Sequence, residues 1–386
     1  MRILTLSYEF PPLGGGGAKV VYGLAKSLVK NGHTIDVVTM GYQGLPKQET
    51  IDGIIVHRVP CIRTRKSMCY SPEMVPYILA AIPVITHLMK QHAYDLNHTH
   101  FIFPDGILAQ ILQKLTGLPY MITAHGSDVP GYNPDRFKIQ HKIFSPLWKS
   151  VVRNSERIIC PSGSIQSLIH TIAPTIRTCI IPNGINIDTF NPSRNKLNRV
   201  LIVTRMFERK GVQYLLKALE NLDYHYEVHI VGDGPYLKTL RGQVDEKNLD
   251  VRFWGFLDNQ SQEIRELYET SRIFVFPSVS ENFPIVLLEA MAAGMAIITT
   301  EGTGCAEVVG KSAVFIKPRD SESIKNALQH LIADEAYCTT LGRSARKRLE
   351  DHFGWGSVSQ QYSEMFLKAS ELIDRDSRIL RQKHSH

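Results

Sequence analysis

The feature that most constrains the fold is a regular alternation of short, β-rich apolar runs with helical patterns. In the first half the runs are RILTLS, TIDVVTM, IIVHRV, LNHTHF, YMITAH and RIICPS, and a helix is predicted near Ala18 to Lys30. Strands that alternate with helices in this way are typical of parallel α/β sheets. This half of the chain therefore predicts a doubly wound sheet.

The cycle restarts after a polar segment from about Asn183 to Asn198. It continues with RVLIVTR, a helix near Val212 to Glu220, and then YEVHIVG, VRFWGF, RIFVFPS, AIITT and AVFIKP. We predict two Rossmann-like domains, 1–190 and 191–357, with a C-terminal helix at about 358–386 that crosses back to the first domain. Ligands of open α/β sheets bind at the carboxyl ends of the strands, so the expected site is a cleft between the domains.

Composition excludes several classes of protein. Of the 386 residues 43% are hydrophobic and 21% charged, and no segment is of low complexity, which argues against disordered and fibrous proteins. The six cysteines form no CxxC pair and no zinc-binding spacing, which favours a reducing cytoplasm. The chain opens directly on a strand, so a secretory signal is not expected. The most apolar stretch, Met74 to Met89, is predicted to be too short for a membrane span.

The positive charge lies in the first half. Residues 1–190 carry 18 Lys and Arg against 11 Asp and Glu, whereas residues 191–386 carry 26 of each. This asymmetry favours an anionic partner, either a membrane surface, an acidic acceptor or nucleic acid, and a solvated basic surface is the alternative. Arg63, Arg65 and Lys66 precede the apolar stretch, which predicts either a peripheral membrane contact or a buried helix behind a cationic loop.

Four consecutive glycines, Gly14 to Gly17, stand between the first strand and the first helix. Glycines permit close approach to a backbone, and a helix start attracts anions, so a phosphate is one predicted occupant. A flexible turn without a ligand is the other interpretation, because the run matches neither GxGxxG nor a Walker motif.

Two cations follow the first strand of the second half. Arg205 ends that strand and Lys210 lies five residues further on, before Gly211 and a helix. A forked guanidinium and a compact ammonium together suit a diphosphate. Ordinary surface charges, with Arg209 as a third member, are the alternative.

The segment FVFPSVSENFPIVLLEAMAAG is the most informative. It predicts a turn with Glu281, a helix that begins near Asn282 with Pro284 early, and Glu289 about 1.5 turns inside. Amides at such a helix start could hold a diphosphate while the two carboxylates accept hydrogen bonds from sugar hydroxyls. An acidic residue that only favours the helix dipole is the simpler interpretation of Glu281.

Together these motifs resemble the retaining glycosyltransferases of family 4, which have the GT-B fold. The resemblance rests on PP..GG...V..LA..L...GH at the start, TAHGSD at 123–128, IPNGI at 181–185, TR....KG at 204–211, VGDGP at 231–235 and PS....E.F....LEAMA.G around ENFPIVLLE. It covers almost the whole chain. The pattern departs from the family at Pro284, Met295 and Gly304-Cys305-Ala306, and Pro284 removes one amide donor.

The resemblance implies a role for each matching residue. Glu289 is expected to bind the donor ribose, Glu281 the transferred sugar, and Arg205 and Lys210 the diphosphate, while His125 lies beside the donor sugar and the reacting centre. The remaining predicted donor-binding residues are Gly15, Gly16, Gly17, Gly232, Gly234, Asn282, Phe283, Pro284, Ile285 and Val286, with Asn183, Gly184 and Glu307 in supporting positions.

The implied reaction is transfer of a sugar from a UDP- or GDP-sugar to a hydroxyl of a sugar or lipid-linked acceptor, with retention at the anomeric carbon. We predict no metal and no further cofactor, since no DxD-like pair stands in a suitable loop. We also predict a cytoplasmic protein, with peripheral contact at the inner face of the membrane and no membrane contact as the two alternatives. A sugar-nucleotide epimerase of the same fold and a basic nucleic-acid-binding protein are the alternatives. The latter lacks any RRM or KH pattern, so we expect no nucleic acid. A nicotinamide dehydrogenase fits poorly, because the glycines lack the required spacing.

Overall fold

The computed structural model describes residues 1–66, 68–132, 138–192, 195–220, 222, 225–258 and 261–383, without the side chains of 138–141 and 371–383. The chain divides into two compact units. Unit 1 comprises Met1–Gly184 and Trp355–His386, and unit 2 comprises Ile185–Gly354.

Unit 1 contains an eight-stranded sheet in the order β3-β4-β2-β1-β5-β6-β7-β8. All neighbouring strands are parallel except β3 and β4, so the predicted parallel sheet is confirmed. Its elements are β1 (Arg2–Leu6), α1 (Gly16–Lys30), β2 (Thr34–Met40), β3 (Gln48–Ile51), β4 (Ile54–Val59), α2 (Ser71–Gln91), β5 (Leu96–His100), α3 (Asp105–Thr116), β6 (Tyr120–Thr123), α4 (Lys138–Asn154), β7 (Arg157–Cys160), α5 (Gly163–Ile172), β8 (Thr178–Ile180) and α13 (Trp355–Lys383). The edge strands β3 and β8 lie outside the predicted runs, because β3 is mostly polar and β8 has only three residues.

The sheet of unit 1 is covered on both faces. One core joins Leu24 of α1 to Tyr362 and Phe366 of α13, and the other joins Tyr77 of α2 to Leu108 of α3. Helix α13 is also bonded to the sheet, where the Tyr362 hydroxyl and Thr123 Oγ1 lie 3.1 Å apart. The C-terminal helix therefore belongs to the first domain, as predicted.

Helix α2 corrects the prediction that the apolar stretch is too short to span a bilayer. By length and composition alone, this helix of 21 residues could cross a membrane. It extends beyond the apolar stretch at both ends and continues through Pro76 and Pro83. The buried side of α2 packs against the core of unit 1, with Tyr77 and Ala81 fully buried. The preceding Arg63 is buried as well and donates to the carbonyls of Tyr8 and Lys66, both at 3.1 Å.

Unit 2 contains a six-stranded parallel sheet in the order β11-β10-β9-β12-β13-β14. Its elements are β9 (Leu197–Val203), α6 (Val212–Leu219), β10 (Glu227–Val231), α7 (Leu237–Lys247), β11 (Val251–Gly255), α8 (Gln262–Thr270), β12 (Ser271–Phe276), α9 (Ile285–Ala292), β13 (Ala296–Thr300), α10 (Gly304–Val309), β14 (Val314–Ile316), α11 (Ser321–Ala333) and α12 (Glu335–His352). A short 3-10 helix, Glu208–Lys210, precedes α6.

The helix predicted to begin near Asn282 begins at Ile285 instead. Pro284 precedes it with an extended backbone, φ −75° and ψ 116°. A proline also disfavours the helical conformation of the residue before it, which keeps Phe283 out of the helix. Glu289 therefore lies about 6 Å along the axis from the first helical residue.

Arg346 of α12 holds the end of α9 in place. Its Nη1 donates to the carbonyl oxygens of Ala292 at 2.6 Å and Ile187 at 2.8 Å. A cationic side chain at these carbonyls favours the helix C-terminus through its charge and its hydrogen bonds. Arg346 thus joins α12, α9 and the segment that follows Gly184.

We predict that Arg346→Met weakens unit 2, because the carbonyls of Ala292 and Ile187 lose a charged donor. The expected loss is about 1.5–3 kcal/mol of unfolding free energy. Amide hydrogen exchange of β12 and β13 measures it. Arg343→Met is the matched control, since Arg343 lies exposed on the same helix and its loss is expected to change stability by less than about 0.5 kcal/mol. Equal protection in the two variants would contradict the role of Arg346.

Candidate functional site

In unit 2 the predicted residues gather where the strand order reverses. The chain leaves β9 for β10 on one side and returns through β12 on the other, so the switch point lies between β9 and β12. Lys210 follows β9, and Ser278 and Glu281 follow β12. Because ligands of open α/β sheets bind at the switch point beyond the carboxyl ends of the strands, these loops form the candidate site of unit 2.

Lys210 and Glu281 form an ion pair across this switch point, with Lys210 Nζ donating to Glu281 Oε1. Only 12% of the lysine side chain and 9% of the glutamate side chain are exposed. The same oxygen accepts a hydrogen bond of 2.6 Å from Ser278 Oγ. Both internal donors therefore meet on one carboxylate oxygen, which fixes the plane of the Glu281 carboxyl group.

The surroundings of Lys210 set its charge. Burial lowers the pKa of Lys210, Glu281 raises it, and Arg209 and Arg205 lower it further. The ammonium also lies 5.5 Å from the centre of the Phe276 ring, a cation–π contact. A third cation nearby, Arg209, bonds within the protein, with its Nη1 donating to the Ser280 carbonyl at 3.3 Å. This arrangement concentrates positive charge at one strand end.

Gly304 holds the backbone of Glu281 through a hydrogen bond. Its N–H donates to the Glu281 carbonyl at 3.0 Å. A Cβ at residue 304 would lie only 1.6 Å from the Asn282 carbonyl oxygen, so no other residue fits. The departure from the family pattern at 304–306 therefore keeps the glycine that the site requires.

Glu289 has a different partner. The Tyr268 hydroxyl donates to Glu289 Oε2 at 2.8 Å, and both side chains are buried. Tyr268 comes from α8 and packs on Phe190, with ring centres 4.5 Å apart. Sequence reasoning missed Tyr268, because a tyrosine within an amphipathic helix gives no sign of which carboxylate it faces.

Arg205 lies near enough to Lys210 to lower its pKa, and the two predicted glycines follow β10. Arg205 is exposed, and its guanidinium lies 5.9 Å from the Phe207 ring centre. A Cβ at Gly232 would lie 1.8 Å from the Thr204 carbonyl oxygen, and one at Gly234 would lie 2.5 Å from the Met206 carbonyl oxygen. Close packing of the loops after β9 and β10 thus requires both glycines, which is a separate reason from approach to a nucleotide base.

The remaining predicted residues take several positions. Phe283 points into the core of unit 2 against Phe353, with rings 5.6 Å apart. Ile285 and Val286 form the first turn of α9, where amides lack partners within the helix. The main chain of Glu307 accepts a hydrogen bond from Arg348 at 2.9 Å. Asn183 is buried, and Gly184 packs against Trp355 within unit 1.

In unit 1 the strand order reverses between β1 and β5, and the glycine loop follows β1. Helix α1 begins at Gly16, and the Gly15 N–H donates to Glu9 Oε2 at 3.4 Å. A carboxylate of the chain therefore lies beside the helix start for which the sequence predicted a phosphate. A Cβ at Gly17 would lie 2.8 Å from Phe101 Cζ and 3.7 Å from His125 Nδ1, which places Gly17 next to His125.

Three neighbours hold His125 after β6. The backbone N–H of His125 donates to Asp128 Oδ1 at 2.9 Å. The ring Nε2 of His125 lies 3.0 Å from His100 Nδ1, and the centre of the His125 ring lies 4.2 Å from that of the Phe101 ring. Burial lowers the pKa of His125 to about 3, so the ring is neutral at pH 7. Asp128 also accepts the Ile102 N–H at 2.8 Å and so joins the loops after β5 and β6.

Sequence reasoning named His125 but missed His100, Phe101 and Asp128. A signal existed for His100, because LNHTHF places His98 and His100 on the same face of a strand. Asp128 was part of the TAHGSD motif without an assigned role. Among the residues that the structure describes, no three His, Cys, Asp or Glu side chains cluster as a metal site would require.

Comparison with known proteins identifies the family. The family described as Glycosyltransferase Family 4 matches residues 14–189, and the family described as Glycosyl transferases group 1 matches residues 185–348. The chain belongs to the family 4-like glycosyltransferases. It is an enzyme of the GT-B fold, with the two-domain parallel α/β architecture that the sequence predicted.

Individual relatives agree with this family. An uncharacterised glycosyltransferase of Methanocaldococcus jannaschii is 26% identical over 97% of this chain and 100% of the relative. Sucrose-phosphate synthase from Thermosynechococcus elongatus has the same fold, with a TM-score of 0.84, 22% identity and coverage of 96% of this chain and 99% of that one. Anabaena HepE in complex with UDP-glucose has a TM-score of 0.75, 20% identity and coverage of 95% and 100%.

Proposed function

We propose that this glycosyltransferase transfers a sugar from a nucleotide-diphosphate sugar to an acceptor hydroxyl, with retention at the anomeric carbon and without a metal, in the synthesis of a polysaccharide or glycolipid. The observation that carries the proposal is the Lys210–Glu281 pair at the switch point of unit 2. It supplies a cation and a carboxylate side by side, which matches a diphosphate joined to a hydroxylated ring. A UDP- or GDP-sugar is the proposed donor, and the HepE complex with UDP-glucose supports a nucleotide sugar.

Each part of the donor has a proposed partner in unit 2. Lys210 and the exposed Arg205 bind the diphosphate, together with the amides in the first turn of α9. Glu289 accepts hydrogen bonds from the ribose and Glu281 from the transferred sugar. Ser278 and Tyr268 hold the two carboxylates in orientation through bonds of 2.6 and 2.8 Å.

The proposed reaction breaks the bond between the anomeric carbon and the β-phosphate oxygen. The acceptor oxygen bonds to the anomeric carbon on the same face, and the acceptor proton passes to the departing phosphate oxygen. Negative charge grows on the diphosphate as the bond breaks, so Lys210 and Arg205 stabilise the transition state more than the ground state. In this scheme the two cations perform the electrostatic role that a metal ion has in other enzymes.

In unit 1 we assign the neutral His125 to the transferred sugar and the glycine loop, Gly15 to Gly17, to the donor phosphates. A neutral imidazole can donate or accept a hydrogen bond with a hydroxyl without adding charge. The acceptor binds unit 1 in this proposal. The predicted cleft between the two domains stays a prediction.

A panel of nucleotides and nucleotide sugars tests the function. We expect one nucleotide-sugar class to raise the melting temperature, and product analysis with that donor to show sugar transfer with the anomeric configuration retained. Transfer is expected to continue in EDTA. A donor that is isomerised without any acceptor would favour the epimerase, and a panel without any stabilising nucleotide would contradict the proposal.

We predict that Lys210→Met lowers kcat by about 10²- to 10³-fold, because the leaving diphosphate loses a preorganised cation. Steady-state kinetics with the donor from the panel measures the loss. Lys217→Met is the matched control, since Lys217 is exposed on α6, and its kcat is expected to stay unchanged.

Lys210→Met also leaves Glu281 buried without its cation, so stability alone could lower the rate. The double variant Lys210→Met with Glu281→Gln removes both charges and separates the two effects. Its melting temperature is expected to recover, while transfer is expected to fall below that of Glu281→Gln alone, which keeps Lys210 but lacks the carboxylate assigned to the sugar. Recovery of transfer in the double variant would show that Lys210 serves the fold and not the chemistry.

A second proposal concerns location: the enzyme is cytoplasmic and binds the inner face of an anionic membrane through the outer side of α2. Val75 and Leu79 on that side are 58% and 65% exposed. The helix as a whole is long and apolar enough to span a membrane by length and composition. The exposed Arg65 and Lys66 precede the helix. Apolar side chains flanked by cations suit the surface of an anionic bilayer. The buried Arg63 is not part of this surface.

We predict that Val75→Ser with Leu79→Ser weakens binding to vesicles that contain anionic lipids on the order of tenfold, because two apolar contacts are lost. Co-sedimentation with vesicles measures the binding. Leu115→Ser on α3 is the matched control, because Leu115 is 70% exposed and lies outside α2. Equal losses in both variants, or binding only to neutral vesicles, would contradict this surface.

A further inference from the structure

The histidine pair of unit 1 determines which nitrogen of His125 can meet a ligand. His100 is the last residue of β5, and His125 follows the neighbouring strand β6, in which Thr123 is paired with His100. His100 Nδ1 and His125 Nε2 lie 3.0 Å apart. Each neutral imidazole has one donor and one acceptor nitrogen. With Nε2 engaged by His100, His125 meets any other group through Nδ1.

Nδ1 of His125 lies on the side of the glycine loop. It would be 3.7 Å from a Cβ at Gly17, the second residue of α1. One feature of the loop leaves room for an oxygen-rich ligand here: a glycine adds no side chain next to the ring. The start of the 15-residue helix already has the Glu9 carboxylate beside it. The ring nitrogen that faces this place is the one that His100 leaves available.

Burial makes the pair neutral. The pKa of His125 is lowered to about 3, and that of His100 is also lowered well below its ordinary value, in both cases first by burial. One ring therefore donates and the other accepts, so His125 carries its proton on Nε2 when it donates to His100 and on Nδ1 when it accepts from His100. In a hydrogen-bonded imidazole, the partner of one nitrogen decides the state of the other.

The backbone beside the pair is held in an uncommon conformation. Phe101 has φ 71°, which is rare for a bulky residue. Its N–H donates to the Thr123 carbonyl at 3.0 Å, and its ring packs on His125 at 4.2 Å. Conformations of this kind persist only when their surroundings fix them, and they concentrate at functional sites. The contact holds the plane of the His125 ring while His100 holds its Nε2.

We propose that His100 is a positioning residue for sugar transfer: it bonds Nε2 of His125, selects one ring orientation and tautomer, and so presents Nδ1 to a hydroxyl or phosphate oxygen of the nucleotide sugar. The role of Nδ1 rests on the proposed function, whereas the choice of tautomer is a property of the free protein. His100 itself touches no substrate. Its effect on transfer passes through His125.

The first experiment needs no substrate. Nitrogen-15 NMR of histidine-labelled protein reports the tautomer of each ring, and the His125 signals are assigned as those missing in His125→Asn. We expect a single tautomer in the wild type, a mixture of both in His100→Leu, and a single tautomer again in His100→Asn, whose side chain keeps a polar atom at the δ position. A mixture in the wild type, or an unchanged His125 in His100→Leu, overturns the proposal.

His98→Leu is the matched control. His98 lies on the same strand and face, is equally buried, and bonds Thr123 at 2.9 Å instead of His125. Its loss is expected to lower stability and to leave the tautomer of His125 unchanged. If His98→Leu mixes the tautomers as His100→Leu does, the effect comes from packing and the proposal is wrong.

The second experiment uses the donor found by the panel. Its addition to the wild type is expected to shift Nδ1 of His125 and to leave Nε2 in place, and a shift confined to Nε2 overturns the assignment. In kinetics, His100→Leu is expected to lower kcat/KM on the order of tenfold to a hundredfold, as misplaced reacting groups do, and His100→Asn to restore most of it. If the panel finds no donor, the proposed function fails while the tautomer experiment still decides the role of His100.

Discussion

The Lys210–Glu281 ion pair exists only because β9 and β12, which are distant in the sequence, lie side by side and run in the same direction. Their carboxyl ends then leave the sheet at one place, and each loop brings one charge. Removing one partner of such a buried pair costs about 3–5 kcal/mol, because the other charge stays buried alone. The pair thus ties the chemistry of unit 2 to its strand order, and Gly304, Ser278 and the loops around them serve to keep it in place.

The architecture could be predicted from the sequence because it depends on a repeated local signal. Apolar runs that alternate with helical patterns indicate parallel sheets wherever they occur, and both sheets follow them. The prediction failed where local signals compete or are weak. Pro284 places the start of α9 at Ile285 and not near Asn282. Strand β3 is mostly polar and β8 has only three residues, and α2 extends as a helix beyond the apolar stretch Met74 to Met89.

The candidate site was predictable in its charged residues and not in their partners. Lys210, Glu281, Glu289 and His125 stand in motifs whose order along the chain suffices to find them. Tyr268 bonds Glu289 because α8 packs beside α9, and Arg63 points inward because carbonyls of Tyr8 and Lys66 surround it. Neither neighbourhood leaves a mark in the local sequence. Partners of this kind follow from tertiary packing, which cannot be read from local sequence patterns.

Each unit fixes one buried polar side chain at the end of a strand, and the two side chains differ in charge. In each, a polar side chain after one central strand is fixed by a partner from the loop or end of a neighbouring strand. Burial lowers the pKa of both Lys210 and His125. Glu281 opposes that effect on Lys210 by favouring the ammonium, whereas burial keeps the His125 ring neutral at pH 7 and His100 brings no negative charge that would oppose it. Burial is the largest influence on both groups, and the partner adds a difference between them: a carboxylate favours the cation in unit 2, whereas an imidazole adds no charge to the hydrogen-bonding group in unit 1.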